Sequence, residues 1–238
     1  MDTIRKLYIP DNPPAVKAED VFHYLGYKSG MPDEGTVALI KSCIEQLEKA
    51  MNPKSVYAAF PLKRAGGGIE LENCRLRLIG SDIAEHLKDC GAAVLFAATL
   101  SPQVDRLIRQ TQSKDIAAGL IMDSCASAAI ELFCDIVEKE IKSQFEGCFF
   151  TTRYSPGYGD FPLEVQHDFL SALDAQRAIG LYANDAFLLT PMKSVTAVIG
   201  VGNKPPQGSK TGCEFCRIKD NCWFRKRGLY CGVSKSAE

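Results

Sequence analysis

Apolar positions along this chain alternate between two periods. Over residues 34–51 they fall at Val37, Ile40, Ile44 and Leu47, the three-and-four spacing of one helical face. Residues 69–78 alternate instead, as a half-buried strand does, and residues 55–62 read as a strand that meets them across the turn Gly66-Gly67-Gly68. The first 18 residues are proline-rich and read as extended, and residues 18–25 form a short helix closed by Gly26. Ser81 is placed to N-cap a helix over 81–90 that stops at Gly91. A buried strand follows over 92–98, then a helix over 101–112 with Pro102 in its first turn. Residues 115–145 make a long helix with Ala, Ile, Leu and Val on one side. A strand over 147–152, a helix over 163–179 ended by Gly180, and strands over 186–189 and 194–201 complete the pattern.

The strands are separated by helices, yet they also come in neighbouring pairs, 55–62 with 69–78 and 186–189 with 194–201. That arrangement predicts an α+β fold, with a twisted, mainly antiparallel sheet and packed helices, plus a Cys-rich C-terminal tail. The chain divides into residues 1–202, with 1–33 as an N-terminal arm, and a Cys-rich metal-binding tail at 203–238. A length of 238 residues with 46% apolar and 24% charged side chains is ordinary for a soluble globular chain. A net charge of −1 argues against a nucleic-acid-binding surface. The apolar run over 91–100 is too short to span a bilayer. The start Met1-Asp2-Thr3-Ile4-Arg5-Lys6 leads into a proline-containing segment, so no signal peptide and a cytoplasmic location are expected.

The sequence lacks the glycine-rich nucleotide fingerprints and the G-x-S-x-G elbow. His23, His86 and His167 stand apart, which leaves no histidine-rich metal site or hydrolase triad in view. The chemistry concentrates instead in Arg153-Tyr154-Ser155-Pro156-Gly157-Tyr158-Gly159-Asp160-Phe161-Pro162. Two prolines stiffen this loop and two glycines let its backbone turn through positive φ or approach a ligand. The product is a fixed backbone edge flanked by a guanidinium and aromatic faces, suited to a flat polar molecule that carries a carboxylate.

Ten cysteines in a chain without an evident export signal point to reduced thiols rather than a disulfide framework. Cys43, Cys74, Cys90, Cys125, Cys134 and Cys148 are scattered and read as small core residues. Cys213, Cys216, Cys222 and Cys231 form C-x2-C-x5-C-x8-C, which suits tetrahedral zinc or an iron–sulfur cluster equally. The cations around them, Lys210, Arg217, Lys219, Arg225, Lys226 and Arg227, offset thiolate charge or dock an acidic partner.

The stretch from Ile69 to Gly202 resembles the activation (reactivation) domain of vitamin B12-dependent methionine synthase in stand-alone form. The R-x-x-P-G-Y core at Arg153–Tyr158 carries the likeness, continued by Gly159–Leu163, Gln166, Leu173–Gly180 and Pro191–Thr196. Upstream, Ile79–Ile83, His86-Leu87 and Ala97–Leu100 fit the same family. The resemblance implies S-adenosylmethionine as ligand and a task of presenting that methyl donor to cob(II)alamin. One-electron reduction plus methyl transfer would then restore methylcobalamin. The cobalamin would ride on a separate cobalamin-binding methionine synthase core or another corrinoid protein, with an electron donor as a further partner.

The resemblance also assigns residues. Arg153 matches the arginine used on the methionine carboxylate, a pairing that suits a guanidinium fork; a surface ion pair is the alternative. The backbone of Ser155, Pro156, Gly157 and Tyr158 is placed to bond the ligand's amino group and adenine, and the Tyr158 ring to lie against the sulfonium or simply on the sheet. Asp160 serves the sulfonium or ribose, or caps the helix beginning near Leu163; we favour the cap. Glu131 lies on the helix where the family's acidic residues approach the ligand, one turn beyond Ser127, or else on a solvated face. Lys193 contacts an anion or marks a strand end. After Val198–Val201 the family continues through an aromatic segment that holds adenine, whereas this chain enters Gly202-Asn203-Lys204-Pro205-Pro206 and the cysteine tail. A reactivation factor and a binding or sensor module with a zinc-stabilised tail are the two functions left to separate.

Overall fold

The computed structural model of the protein describes residues 5–27, 31–65 and 68–206. In chain order its elements are β1 (Arg5–Tyr8), α1 (Ala18–Phe22), α2 (Glu34–Ala50), β2 (Lys54–Ala65), β3 (Gly68–Leu71), β4 (Arg77–Leu78), α3 (Ser81–His86) and β5 (Ala92–Thr99). There follow α4 (Pro102–Lys114), α5 (Ile116–Ser143), β6 (Phe149–Phe150), a 3-10 turn (Leu163–Val165), α6 (Gln166–Leu173), α7 (Ala175–Ile179), β7 (Tyr182–Ala183), β8 (Leu189–Thr190) and β9 (Ser194–Gly202). Cys213, Cys216, Cys222 and Cys231 lie outside the described residues.

Seven strands form one sheet in the order β4-β3-β2-β5-β9-β6, with β1 beside the first half of β2. Each of these pairings is antiparallel. β2 is long enough to serve two neighbours in turn: Ser55–Ala58 pairs with β1, and Leu62–Ala65 pairs with β3. The central strands β5 and β9 are buried on both faces, so their side chains divide by the period of two. Val94, Phe96, Ala197 and Ile199 enter one core with α1, α2, α4 and α5, while Ala93, Leu95, Ala97 and Val198 enter a second with α3, α6 and α7. The expected α+β class with an antiparallel sheet is what the described residues show, as helix, sheet and helix layers.

α5 is the spine of the first layer. Asp115 caps it, accepting from Ala117 N at 2.8 Å and Ala118 N at 3.1 Å. By length and composition α5 is apolar enough to cross a bilayer. Its apolar side, Met122, Cys125, Ala129, Phe133, Val137 and Ile141, is instead buried in the core.

Several expectations change in physical detail. The single strand over 69–78 breaks into β3 and β4, because Asn73 takes a left-handed conformation at φ 58°. The helix over 163–179 breaks at Asp174, φ 52°, into α6 and α7. Residues 182–190 close as a separate ribbon, β7 with β8, rather than pairing 186–189 with β9. The extended start includes a true strand, β1, whose short, half-polar run carried no alternation signal.

Candidate ligand site at the Arg153 loop

The chain beyond β6 continues along β9 by a sparser ladder. Thr151 N donates to Gly200 O at 3.0 Å, and Tyr154 and Val198 exchange two bonds of 2.9 Å. Successive side chains of an extended segment point to opposite faces. Tyr154 accordingly joins the second core, with its ring 4.9 Å from His86, while Arg153 turns to the α5 face. The period of two separates the arginine from its neighbouring aromatic.

Arg153 meets a polar stripe on α5. Asp123, Ser127, Glu131 and Asp135 recur every four residues and Glu138 three later, so they share one helical face. Nη2 of Arg153 donates to Glu131 at 3.2 Å and Asp135 at 2.9 Å, and Nε lies 3.5 Å from Glu138. The Arg153 side chain is 22% exposed, and its Nη1 is buried without a hydrogen-bond partner. Glu138 also holds Lys142 at 2.6 Å. One end of the stripe is occupied by Lys193, whose Nζ lies 2.9 Å from Asp123 and donates to Ser127 Oγ at 2.8 Å. Four carboxylates thus face three cations, and the stripe retains negative charge.

The electrostatics follow from sharing. Burial raises the Glu131 pKa, Arg153 opposes this, and Asp135 adds to the rise. One guanidinium divided among three carboxylates leaves Glu131 incompletely compensated. Burial works against the charge on Arg153, but Cys134, Glu131, Asp135 and Glu138 more than offset it, and the arginine holds its proton more tightly than a free one.

The loop itself is built by its turn residues. Tyr158 N donates to Ser155 O at 3.1 Å, with Pro156 and Gly157 between them and Gly157 at φ 92°. This is the type II arrangement that Pro-Gly favours. Phe161 N donates to Tyr158 O at 2.9 Å and Gly157 N to Phe161 O at 2.7 Å, with the Phe161 ring buried as an anchor. The N–H groups of Gly157 and Tyr158 are therefore spent inside the loop. Carbonyl oxygens are what these positions offer a ligand, which matches ammonium and amino donors.

Asp160 fastens the loop to α3. Its carboxylate accepts from Ser81 N and Ser81 Oγ, both at 2.6 Å, and from Asp82 N at 2.9 Å. Asp82 returns a bond, accepting from Asp160 N at 3.2 Å. Asp160 is a cap, but of α3, 79 residues away, and not of the helical turn beginning at Leu163. Ser81 is correspondingly the first residue of α3 and not its N-cap, which is Gly80 with no side chain to offer. The close approach is possible because Gly80 and Gly159 lack side chains: a Cβ on Gly159 would lie 2.2 Å from Asp82 Oδ2 and 2.6 Å from Tyr154 Oη.

The structure therefore brings Arg153 and Glu131 together and places Ser155, Pro156, Gly157 and Tyr158 in the adjoining turn. The Tyr158 ring is 55% exposed and meets Tyr154 edge-on at 5.9 Å. Asp135, Glu138, His86 and Asp82 are participants that sequence reading left out; the spacing of four, four, four and three from Asp123 was the available signal for the first two. Two hollows open on the described residues, about 530 Å3 beside Ile79, Gly80, Ser81 and Arg64, and about 320 Å3 beside Leu25, Tyr27 and Leu120. Neither is lined by Arg153 or by residues 155–160.

No family model matches the chain, and no curated protein does. Among solved structures, the crystal structure of the MetH reactivation domain bound to AdoHcy matches with a TM-score of 0.58 at 15% identity, over 94% of this chain and 86% of that one. The chain has the reactivation-domain fold. The resemblance first drawn from Arg153–Tyr158 and its flanking motifs thus extends to the architecture. Within the reactivation-domain fold, the Arg153 loop occupies the join between both cores, where β6, β9, α3 and α5 converge.

Proposed function

We propose that this chain binds S-adenosylmethionine and acts as a reactivation factor, supporting reductive methylation of cob(II)alamin held by a separate methionine synthase core or other corrinoid protein. The observation that supports it most is the juxtaposition of Arg153 with the net-negative stripe of α5, on a fold shared with an AdoHcy-bound reactivation domain. S-adenosylmethionine carries a sulfonium, an ammonium and a carboxylate. Glu131 and Asp135, which share a single guanidinium nitrogen, suit the ammonium, the guanidinium suits the carboxylate, and the exposed Tyr158 face suits the sulfonium. Loop carbonyls near Pro156 and Gly157 suit the remaining donors. The methyl donor and cobalt supply the bond chemistry, while these residues orient the donor. An electron donor outside this chain completes the reaction.

Isothermal calorimetry with S-adenosylmethionine tests the binding step. Arg153→Ala is expected to weaken binding about tenfold or more, since charge-assisted hydrogen bonds contribute roughly 1.5–3 kcal/mol; unchanged affinity overturns the site. Methylation of a cob(II)alamin-loaded partner in the presence of reductant tests the function. A second reading, a binding or sensor module without methyl transfer, is favoured by the full engagement of Arg153 Nη2 and Nε by α5 carboxylates. It is the reading that survives if ligand binds but no methylation follows. For the cysteine tail we retain zinc or an iron–sulfur cluster, with Cys213, Cys216, Cys222 and Cys231 as ligands. An anaerobic absorption spectrum of the purified protein decides between them, a broad visible band marking the cluster.

A further inference from the structure

Charge is divided unevenly along this chain. Residues 207–238 hold seven Lys and Arg against three Asp and Glu, a formal charge of +4, so residues 1–206 carry −5 within the net −1. Four thiolates around one metal lower the first figure by about two and leave it positive. The basic character peaks in Trp223-Phe224-Arg225-Lys226-Arg227, where two aromatics, one of them the only tryptophan, precede three cations. One face of α5 has the same order in complementary chemistry. Ile116 and Leu120, 80% and 62% exposed, stand at its N-terminal end, in line with Asp123, Ser127, Glu131 and Asp135 at spacings of three and four. Leu120 also lines the hollow of about 320 Å3 with Leu25, Tyr27 and Ile121, an apolar recess of a size to take one aromatic side chain. The Asp123 and Asp135 side chains are 44% and 48% exposed even while paired with Lys193 and Arg153, so both still face solvent.

The chain leaves the sheet within reach of this face. β9 ends at Gly202 opposite Phe149, and the next ring, Phe150, lies 5.7 Å from Lys142 Nζ of α5. Residues beyond 206 therefore start near the C-terminal end of α5. From Lys142, Asp135 is about 10 Å back along the helix axis and Leu120 about 33 Å. Trp223 is seventeen residues past Pro206, a span of roughly 20–25 Å as a flexible coil and about 56 Å at full extension, and the hollow lies between these limits. The spacing along the two partners also agrees. Asp123 and Glu131 stand about 5 and 16 Å from Leu120 along α5, and Arg225 and Arg227 about 7 and 13 Å from Trp223 in an extended chain. We infer that the Ile116–Asp135 face of α5 is the docking surface for this chain's own C-terminal segment, with Trp223 in the Leu120 hollow and Arg225, Lys226 and Arg227 along Asp123, Glu131 and Asp135. Burial of the aromatic holds the segment, and the charges set its register. The docked segment borders the proposed S-adenosylmethionine site without depending on it.

Because Trp223 is the only tryptophan, its fluorescence reports on the segment in the full chain. In wild type its emission should lie to the blue of a solvated indole and be shielded from acrylamide. Leu120→Lys, and separately the triple change Arg225→Glu, Lys226→Glu and Arg227→Glu, should shift the emission to the red and raise the quenching constant several-fold. Leu120 is exposed, so its replacement leaves the core intact. A zero-length carbodiimide cross-link should join Lys226 to Asp123, Glu131 or Asp135 within one chain, and Leu120→Lys should abolish it. Solvent-like emission in wild type overturns the inference. So does shielding that survives Leu120→Lys, which would mean that the tail buries its own tryptophan. Cross-links that form only between chains also overturn it, since the occupant would then be a second copy. Each reading is taken without S-adenosylmethionine, so failure of the docking and failure of the ligand are told apart.

Discussion

Arg153 is the residue on which both the stability and the chemistry of the site turn. Its charge is shared among Glu131, Asp135 and Glu138, so its removal leaves three carboxylates facing one another, with Lys142 paired to Glu138. Arg153→Ala should cost roughly 1–3 kcal/mol near neutral pH, the lower part of the range for broken buried pairs because Glu131 and Asp135 are partly solvated. The loss should shrink toward pH 4, as Glu131, its pKa raised by burial, takes up a proton; thermal melts at the two pH values measure it. Glu131 behaves in the opposite sense. Its folded pKa is raised above the ordinary 4.5, so the folded state binds the proton more tightly than the unfolded state, and stability falls as pH rises through that window. Glu131→Gln should remove this slope and be relatively more stable than wild type at pH 7 than at pH 4. A variant whose pH profile parallels that of wild type would refute the assignment.

At the scale of elements, the site depends on the lock between α3 and the loop. Asp160 caps α3 across the fold, and Gly159 admits the Asp82 carboxylate. Asp160→Ala should cost about 0.5–2 kcal/mol, the usual worth of an N-cap. Gly159→Ala should cost about 1–3 kcal/mol, because a Cβ there is both crowded and at φ 53°. Chemical denaturation of the two variants checks both figures. His86 ties the end of α3 to the strand that carries Arg153, its Nε2 lying 2.9 Å from Thr152 O. Burial lowers its pKa below the ordinary 6.5. The folded state then binds fewer protons than the unfolded one, so the stability from neutral His86 is present above pH 6.5 and is lost as pH falls toward the folded value. His86→Gln, which keeps a donor for Thr152 O, should flatten stability across that range while wild type declines.

At the scale of the molecule, two cores on opposite faces of one sheet meet at β5 and β9, and the Arg153 loop bridges them. A ligand held there stabilises the whole fold by mass action. S-adenosylmethionine at a hundredfold excess over its Kd should add about 2.7 kcal/mol to unfolding. At roughly 2–4 °C per kcal/mol for a chain of this size, the melting temperature should rise by about 5–11 °C. No rise at saturating concentration would count against the ligand.

The sequence by itself determined the elements whose signals are local. α2, α4 and α5 follow from helical periodicity, Pro102 and the Asp115 cap, and β5 and β9 from apolar runs buried on both faces. It also determined the turn over Ser155–Tyr158, because Pro156-Gly157 dictates its own backbone conformation. The breaks at Asn73 and Asp174 escaped it, since left-handed backbone at a non-glycine residue is held by surroundings that periodicity does not record. The partners of the site were likewise decided by tertiary structure. Whether Arg153 faces solvent or Glu131, and which helix Asp160 caps, are questions of which distant segments the sheet brings together. Contacts separated by 18 to 79 residues depend on the register between β9 and the 149–154 segment, and on the packing of α3 and α5 against the two faces.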